Sequence, residues 1–148
     1  MRRTIFTLAL LLSAAIPAAA QQPSDRDAVR RAAMDYIEGF YEGDSTKLVR
    51  SVSPEVRKNG YARGRTETTY RASAMPYPDF MRFAAGVRAG RNRPPANAPR
   101  EVVLFEVQDQ TASAKVTAWW GTDYLLLGKE NGRWMITHVL WQSPPRHD

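Results

Sequence analysis

The sequence predicts an α+β fold in which N-terminal helices pack on a curved antiparallel sheet of four to six strands. Three observations indicate this class. Apolar residues recur at helical spacing in segments up to residue 87. From Glu101 onward, β-forming residues alternate with polar ones. Helices that precede a run of consecutive strands, rather than alternating with them, are typical of an α+β domain.

Three helices are expected in the N-terminal half. The first is predicted between Ser24, a good N-cap with Asp27 as its capping-box partner, and Gly43, a residue typical of helix ends. A shorter second helix is expected to stop at Pro54, which cannot continue a helix. A third helix is predicted from Asp79. The apolar positions of these helices are Val29, Ala32, Ala33, Tyr36, Ile37, Phe40, Tyr41, Leu48, Val49, Val52, Phe80, Phe83 and Val87.

Four consecutive antiparallel strands are predicted in the C-terminal half, over residues 101–108, 111–120, 124–129 and 133–142. Residues 55–75 give an ambiguous pattern, and a short strand or irregular structure is expected around residues 56–61.

The Asn-Gly pair at residues 131–132 is a strong signal for a two-residue hairpin loop, which fixes the register of the last two strands. In that register Asp123 and His138 share one side of the sheet. Diagonal neighbours lie about 7–8 Å apart at Cα, so Asp123 is expected to reach His138. The predicted pairs are Leu127 with Ile136, Leu125 with His138 and Asp123 with Leu140.

The chain of 148 residues has room for one domain, which we expect over residues 21–148 after a cleaved signal peptide at residues 1–20. Arg2 and Arg3 precede an apolar run, and Ala18 and Ala20 supply the small residues that a signal peptidase needs. The alternative is an N-terminal membrane anchor. The sequence has no cysteine, and export without disulfides favours a periplasmic or secreted protein, with the bacterial periplasm the better fit.

The composition argues against several kinds of site. The net charge of +6 is concentrated in an arginine-rich stretch at residues 82–100. No aromatic residue lies among its arginines after Phe83, which indicates a solvated loop rather than a nucleic-acid surface. The sequence has no phosphate loop, dinucleotide fingerprint or nucleophile motif. It has no spacing of histidines and carboxylates typical of a metal site. We therefore expect no cofactor, no metal, no nucleic acid and no membrane partner after signal cleavage.

The segment ASAKVTAWWGTDYLLLGKENGRWMITHVLWQ, residues 112–142, resembles the C-terminal signature of the putative lumazine-binding family within the nuclear transport factor 2-like (SnoaL-like) superfamily. Residues 36–39, Gly43, Asp44 and Pro54 fit the opening helix pair of that superfamily. The resemblance implies a cone-shaped α+β barrel with a pocket between helix and sheet, and a homodimer. Because the superfamily holds isomerases, dehydratases, hydrolases and non-catalytic binders, it leaves the function open.

Asp123, His138 and Tyr36 are the candidate catalytic residues. A carboxylate that orients an imidazole is suited to general acid/base chemistry; the alternative is that Asp123 and His138 lie at the rim of the sheet. Ketosteroid isomerase and its relatives use tyrosine and carboxylates in their pockets. The alternative for Tyr36 is a core residue whose hydroxyl bonds to the backbone.

A flat heterocycle would be held by stacking aromatic walls. Arg57 and Lys58 could hold an anionic substituent, but a solvated face is the favoured interpretation. The alternative for at least two of the four tryptophans is that they belong to the core. The candidate ligand-binding residues are Trp119, Trp120, Trp134, Tyr124 and Phe40.

Three functional classes therefore stay open. The first is an exported binder of a small flat ligand such as a lumazine. The second is a cofactor-free lyase, isomerase or hydrolase with an Asp/His/Tyr pocket. The third is a dimeric protein-interaction module.

Overall fold

The chain forms two helices, two strands and a third helix before it enters a run of four consecutive strands. The computed structural model describes residues 24–64 and 66–145, so the predicted signal peptide lies outside the described residues. The elements are α1 (Asp25–Glu42), α2 (Ser45–Ser51), β1 (Val52–Ala62), β2 (Arg71–Ala74), α3 (Tyr77–Arg88), β3 (Glu101–Val107), β4 (Thr111–Ala118), β5 (Gly121–Glu130) and β6 (Arg133–Gln142).

Helix α1 has the caps that the sequence predicts. The Ser24 hydroxyl accepts a hydrogen bond from the backbone N–H of Asp27, and Gly43 ends the helix in the left-handed conformation. Helix α2 ends at Ser51, three residues before Pro54, because the chain already turns into β1 at Val52. The three predicted helices are thus confirmed.

Helix α3 begins at Tyr77, two residues earlier than expected. Pro78 lies in its first turn, where the missing N–H of proline costs no hydrogen bond. Phe80 and Val87 are buried as predicted, while Phe83 is half-buried.

The strands form one curved, open sheet in the order β2-β1-β6-β5-β4-β3. The α+β class is confirmed, but the sheet is mixed rather than purely antiparallel, since β1 and β6 are parallel. A parallel pair needs a long connection, and here everything from β2 to β5 lies between the two strands. Strands β2 and β3 are the edges, so the barrel is not closed.

A β-bulge interrupts the hairpin of β5 and β6. Leu127 pairs with Ile136 as predicted, but the register then shifts by one residue at Thr137. Leu126 therefore pairs with His138, and Asp123 pairs with Trp141. The predicted pairs of Leu125 with His138 and of Asp123 with Leu140 are wrong, because the hairpin loop fixes the register only as far as the bulge.

The helices lie on one face of the sheet and bury the core between them and it. Tyr36, Ile37, Phe80 and Ile136 are among its fully buried side chains. No described helix is both long and apolar enough to cross a membrane.

Candidate functional site

Four polar side chains meet in the core beneath the helices. The Tyr36 hydroxyl donates to Oδ2 of Asp123 at 2.7 Å. The Lys58 ammonium nitrogen donates to the Tyr36 oxygen at 2.6 Å and lies 3.5 Å from Oδ2 of Asp123. The indole N–H of Trp120 donates to the same carboxylate oxygen at 3.1 Å. We call Tyr36, Lys58 and Asp123 the buried triad.

Three separate elements supply the buried triad. Tyr36 lies on the buried face of α1, at the helical spacing that also buries Ile37 and Phe40. Lys58 lies on β1, where alternation turns it inward between Val56 and the next inward residue, Gly60. Asp123 follows the turn that leads from β4 into β5. The triad therefore exists only in the folded protein.

Burial sets the protonation of the tyrosine and the lysine. Tyr36 and Asp123 are fully buried, and Lys58 is 7% exposed. Burial, together with the charge of Asp123, raises the pKa of Tyr36 well above its ordinary value of 10.0, so the hydroxyl keeps its proton. Burial lowers the pKa of Lys58 below its ordinary 10.5, and the charge of Asp123 partly offsets this effect.

Aromatic rings surround the amine of Lys58. Their faces favour the ammonium form by cation–π attraction, while the loss of water favours the neutral amine. These opposing effects make the charge of Lys58 sensitive to whatever enters the space beside it. The rings, with centroids 5.2 to 5.8 Å from the nitrogen, are those of Tyr36, Phe40, Phe80, Trp120 and Trp141.

A cavity opens from this cluster toward the surface. It has a volume of about 220 Å³ and mostly apolar walls. Among the described residues that line the cavity, Lys58 alone has an ionisable side chain. The lining residues are Phe40, Lys58, Ser73, Ala74, Met75, Phe83, Trp119, Trp120 and Trp141.

Gly60 allows one wall of the cavity to form. It pairs with Trp141 across β1 and β6. A Cβ atom at residue 60 would overlap the Trp141 ring and carbonyl group, so a residue without a side chain is required there. Two buried side-chain atoms near this wall, Nε1 of Trp141 and Oδ1 of Asp123, have no hydrogen-bond partner within the described part of the chain. Unpaired buried polar atoms are costly and are typical of functional sites.

The structure brings Tyr36 and Asp123 together but does not bring His138 to them. The shift at Thr137 turns His138 to the outer face of the sheet, where its Nδ1 lies 3.2 Å from the Thr137 hydroxyl. There it lines a separate hollow of about 420 Å³, together with Leu126. The predicted proximity of Asp123 and His138 is therefore wrong.

The candidate ligand-binding residues divide into two groups. Phe40, Trp119 and Trp120 line the cavity, and their role in binding stays a prediction. Trp134 is buried beside the start of α1, where its indole N–H donates to Asp25 at 2.9 Å. Tyr124 is half exposed on the outer face, stacked on Phe105. These positions place Trp134 and Tyr124 away from the cavity.

Two residues of the site were missed from the sequence. A solvated face is the favoured interpretation for Lys58 from the sequence, since lysine is rarely buried. The alternation of Val56, Lys58 and Gly60 along β1 was the available signal for its inward orientation. Trp141, one of the four tryptophans, is not among the candidate ligand-binding residues, and no sequence signal marks the bulge that turns it inward.

No group of three or more potential metal ligands occurs among the residues that the structure describes. The cavity wall presents aromatic rings and the amine of Lys58 to a ligand.

Residues 24–142 match the family model described as "Putative lumazine-binding". Comparison with curated proteins finds no match.

Solved structures share the fold at low sequence identity. An NTF2-like protein of unknown function from Shewanella baltica OS155 is 17% identical, with a TM-score of 0.66 over 86% of this chain and 100% of its own. One from Methylobacillus flagellatus KT is 18% identical, with a TM-score of 0.61 over 85% and 97%. A putative dehydratase of the NTF2-like family from Streptomyces avermitilis is 12% identical, with a TM-score of 0.56 over 83% and 98%. At these identities the likeness establishes the fold alone.

Proposed function

Since the chain belongs to the putative lumazine-binding family, we propose that it binds a small, flat heterocycle such as a lumazine in the cavity beside Lys58. The observation that carries this proposal is the combination of aromatic walls with one buried amine at the inner end. The export predicted from residues 1–20 would place this binding in the periplasm or outside the cell.

The size of the cavity favours a ligand of one or two fused rings. Drug-sized ligands occupy pockets of about 300–1,000 Å³, whereas an apolar cavity of about 150 Å³ holds benzene. The cavity here, at about 220 Å³, lies between these limits.

The polar end of the cavity favours a ligand with hydrogen-bond acceptors. Lys58 in its ammonium form has three N–H groups, and its contacts with Tyr36 and Asp123 occupy two of them. The third is available to a ring carbonyl, a ring nitrogen or a carboxylate. Lumazine carries carbonyl groups and ring nitrogens on a flat bicyclic frame, which agrees with both requirements.

Titration with lumazine while tryptophan fluorescence is recorded tests this proposal. We expect saturable quenching, because Trp119, Trp120 and Trp141 line the cavity. Lys58→Met should weaken binding about tenfold or more, the effect of losing a hydrogen bond to a charged donor.

Arg57→Met is the matched control. Arg57 neighbours Lys58 on β1 but is exposed, so this variant should bind lumazine as the unaltered protein does. Trp134→Phe should keep the full quenching signal because Trp134 lies away from the cavity. Equal loss of affinity in the Lys58→Met and Arg57→Met variants, or no quenching by lumazine, would contradict the proposal.

A cofactor-free lyase, isomerase or hydrolase is the second candidate function. The contact between Tyr36 and Asp123 favours it, since paired groups of this kind serve proton transfer. Both groups are fully buried behind Lys58, however, and neither lines the cavity. A molecule in the cavity would meet Lys58 first, so such chemistry would have to proceed through the lysine.

We also propose that two copies of the chain associate through the outer face of the sheet. Five large apolar side chains, between 45% and 54% exposed, support this proposal. Contiguous exposed apolar surface on a sheet is typical of an interaction site. We call this set the outer apolar patch; it comprises Val103, Phe105, Tyr124, Leu126 and Leu140.

A further inference from the structure

We propose that the amine of Lys58 reacts with an aromatic aldehyde or ketone held in the cavity and forms an imine with it. This inference rests on the proposed function, since the same cavity holds the molecule. It adds a covalent activity to binding and defines the substrate class as flat carbonyl compounds.

The position of Lys58 suits this reaction. Its side chain is only 6% exposed, yet it lines the cavity. The rings of Phe40, Trp120 and Trp141 lie within 5.5 to 5.7 Å of its nitrogen. An aromatic carbonyl compound packed against these rings would hold its carbonyl carbon near the amine, and such positioning accelerates bond formation.

The hydrogen bonds of the nitrogen leave its lone pair available. A neutral amine has two N–H groups, and Tyr36 and Asp123 lie at 2.6 and 3.5 Å to accept them. The lone pair of a tetrahedral nitrogen then lies on the side away from both acceptors. Tyr36 and Asp123 act as positioning residues in this arrangement.

The surroundings also increase the fraction of free amine. Burial lowers the pKa of Lys58, and Asp123 on β5 partly offsets the effect. Tyr36 on α1, the other titratable group in contact with the amine, stays neutral because its own pKa is raised. Desolvated lysines in apolar pockets are a known kind of activated nucleophile.

The reaction needs no oxidant or metal. The nitrogen lone pair forms a bond to the carbonyl carbon, and the π electrons of the carbonyl move to oxygen. A proton passes from nitrogen to that oxygen and gives a carbinolamine. The C–O bond then breaks as the hydroxyl leaves with a second proton, and the products are the imine and one water molecule.

Reductive trapping on the unaltered protein tests the inference. The protein is incubated with benzaldehyde or quinoline carboxaldehyde and sodium cyanoborohydride, which delivers hydride to the imine carbon. Each adduct adds the mass of the aldehyde less one oxygen atom. The sequence has four lysines, Lys47, Lys58, Lys115 and Lys129, so peptide mapping assigns the site.

We expect the adduct at Lys58 to exceed that at each other lysine, because the cavity holds the aldehyde beside its amine and burial lowers its pKa. The preference for Lys58 should be largest below pH 10.5, where lysines of ordinary pKa are protonated while a larger fraction of Lys58 is free amine. Labelling without selectivity would favour Lys47, Lys115 and Lys129, which are all more exposed than Lys58. Predominant labelling of any of these three lysines, or none at Lys58, would overturn the inference.

Two variants sharpen the test. Lys58→Met should abolish the selective adduct, whereas Lys115→Arg should leave it unchanged. If Lys58→Met fails to fold, the mapping of the unaltered protein still decides the question.

The corresponding aromatic alcohols separate this inference from the proposed function. Benzyl alcohol and quinoline methanol cannot form imines, so their effect on tryptophan fluorescence reports binding alone. If the alcohols bind and Lys58 is not trapped, imine formation is wrong and the proposed function stands. If neither the alcohols nor lumazine binds while Lys58 is trapped selectively, the proposed function is wrong and the reactive amine stands.

Discussion

At the scale of single residues, Lys58 and Asp123 depend on each other. Each is almost fully buried, and each supplies the opposite charge that offsets the dehydration of its partner. Tyr36 bridges them by accepting from the lysine and donating to the carboxylate. Removing one charge would leave the other uncompensated in an apolar surrounding, whereas removing both would not.

A double-mutant cycle tests this dependence. We expect Asp123→Asn to lower the free energy of unfolding by about 3–5 kcal/mol, the cost of breaking a buried ion pair. Lys58→Met should act in the same direction. The double variant should be less destabilised than the sum of the single variants, with a coupling energy of about 1–3 kcal/mol. Urea unfolding measures all three, and strict additivity would show that the two charges do not interact.

Two of the three residues of the buried triad, Tyr36 and Asp123, are predicted from the sequence as site residues. The sequence indicates Tyr36 because its hydroxyl lies on an apolar helix face, and Asp123 because it shares a mostly apolar sheet face with His138 in the predicted register. Lys58 is not among them, because its neighbours along the chain are polar and exposed. The alternation along β1 indicates its inward orientation, whereas its partners on α1 and β5 are set by long-range packing that local pattern does not encode.

At the scale of elements, the close contact between α1 and α3 depends on Gly43. This residue ends α1 with φ of 68°, and its carbonyl oxygen accepts from the Arg88 guanidinium at the end of α3. A Cβ atom at Gly43 would lie 2.5 Å from the backbone nitrogen of Arg88. Neither backbone can move without shifting a helix that covers the cavity.

Comparing the Gly43→Ala and Gly132→Ala variants tests this contact, because both glycines have a positive φ but only Gly43 lies against another backbone. Gly132, in the hairpin loop, has φ of 76° but has no atom near its would-be Cβ. Gly132→Ala should cost about 1–2 kcal/mol, the cost of a left-handed alanine. Gly43→Ala should cost clearly more, because backbone overlap adds to the same strain. Equal shifts of the urea midpoint would mean that α1 and α3 adjust freely.

Element boundaries followed from the sequence wherever the signal is local. The Ser24 cap, the Gly43 end and the Asn-Gly hairpin each act over a few residues, and all three are confirmed. The parallel pairing of β1 with β6 joins residues about 80 positions apart, such as Val52 with Ile136. No periodicity within either strand specifies such a partner.

At the scale of the whole molecule, the two faces of the sheet carry different sets of side chains. The inner face carries the core, the buried triad and the cavity walls. The outer face carries the outer apolar patch, in which Phe105 and Tyr124 stack with their ring centroids 6.5 Å apart. If two copies pair through this patch, each cavity stays on the far side of its own sheet.

Light scattering after size-exclusion chromatography tests this association. Leu126→Lys places a charge in the outer apolar patch at a site 54% exposed, and should convert a dimer to a monomer without unfolding it. Val49→Lys is the control, because Val49 on α2 is equally exposed, at 55%, but lies outside the outer apolar patch. A monomeric unaltered protein, or a Leu126→Lys variant that stays dimeric, would contradict the proposed association.

The bulge at Thr137 has a consequence for how such a site can change over generations. Beyond this residue, the inward and outward positions of β6 are exchanged relative to an uninterrupted strand. A substitution that closed the bulge without removing a residue from β6 would therefore turn His138 and Leu140 inward, and Val139 and Trp141 outward, in one event. Loss of the bulge can thus replace Trp141 in the cavity wall without a succession of point mutations.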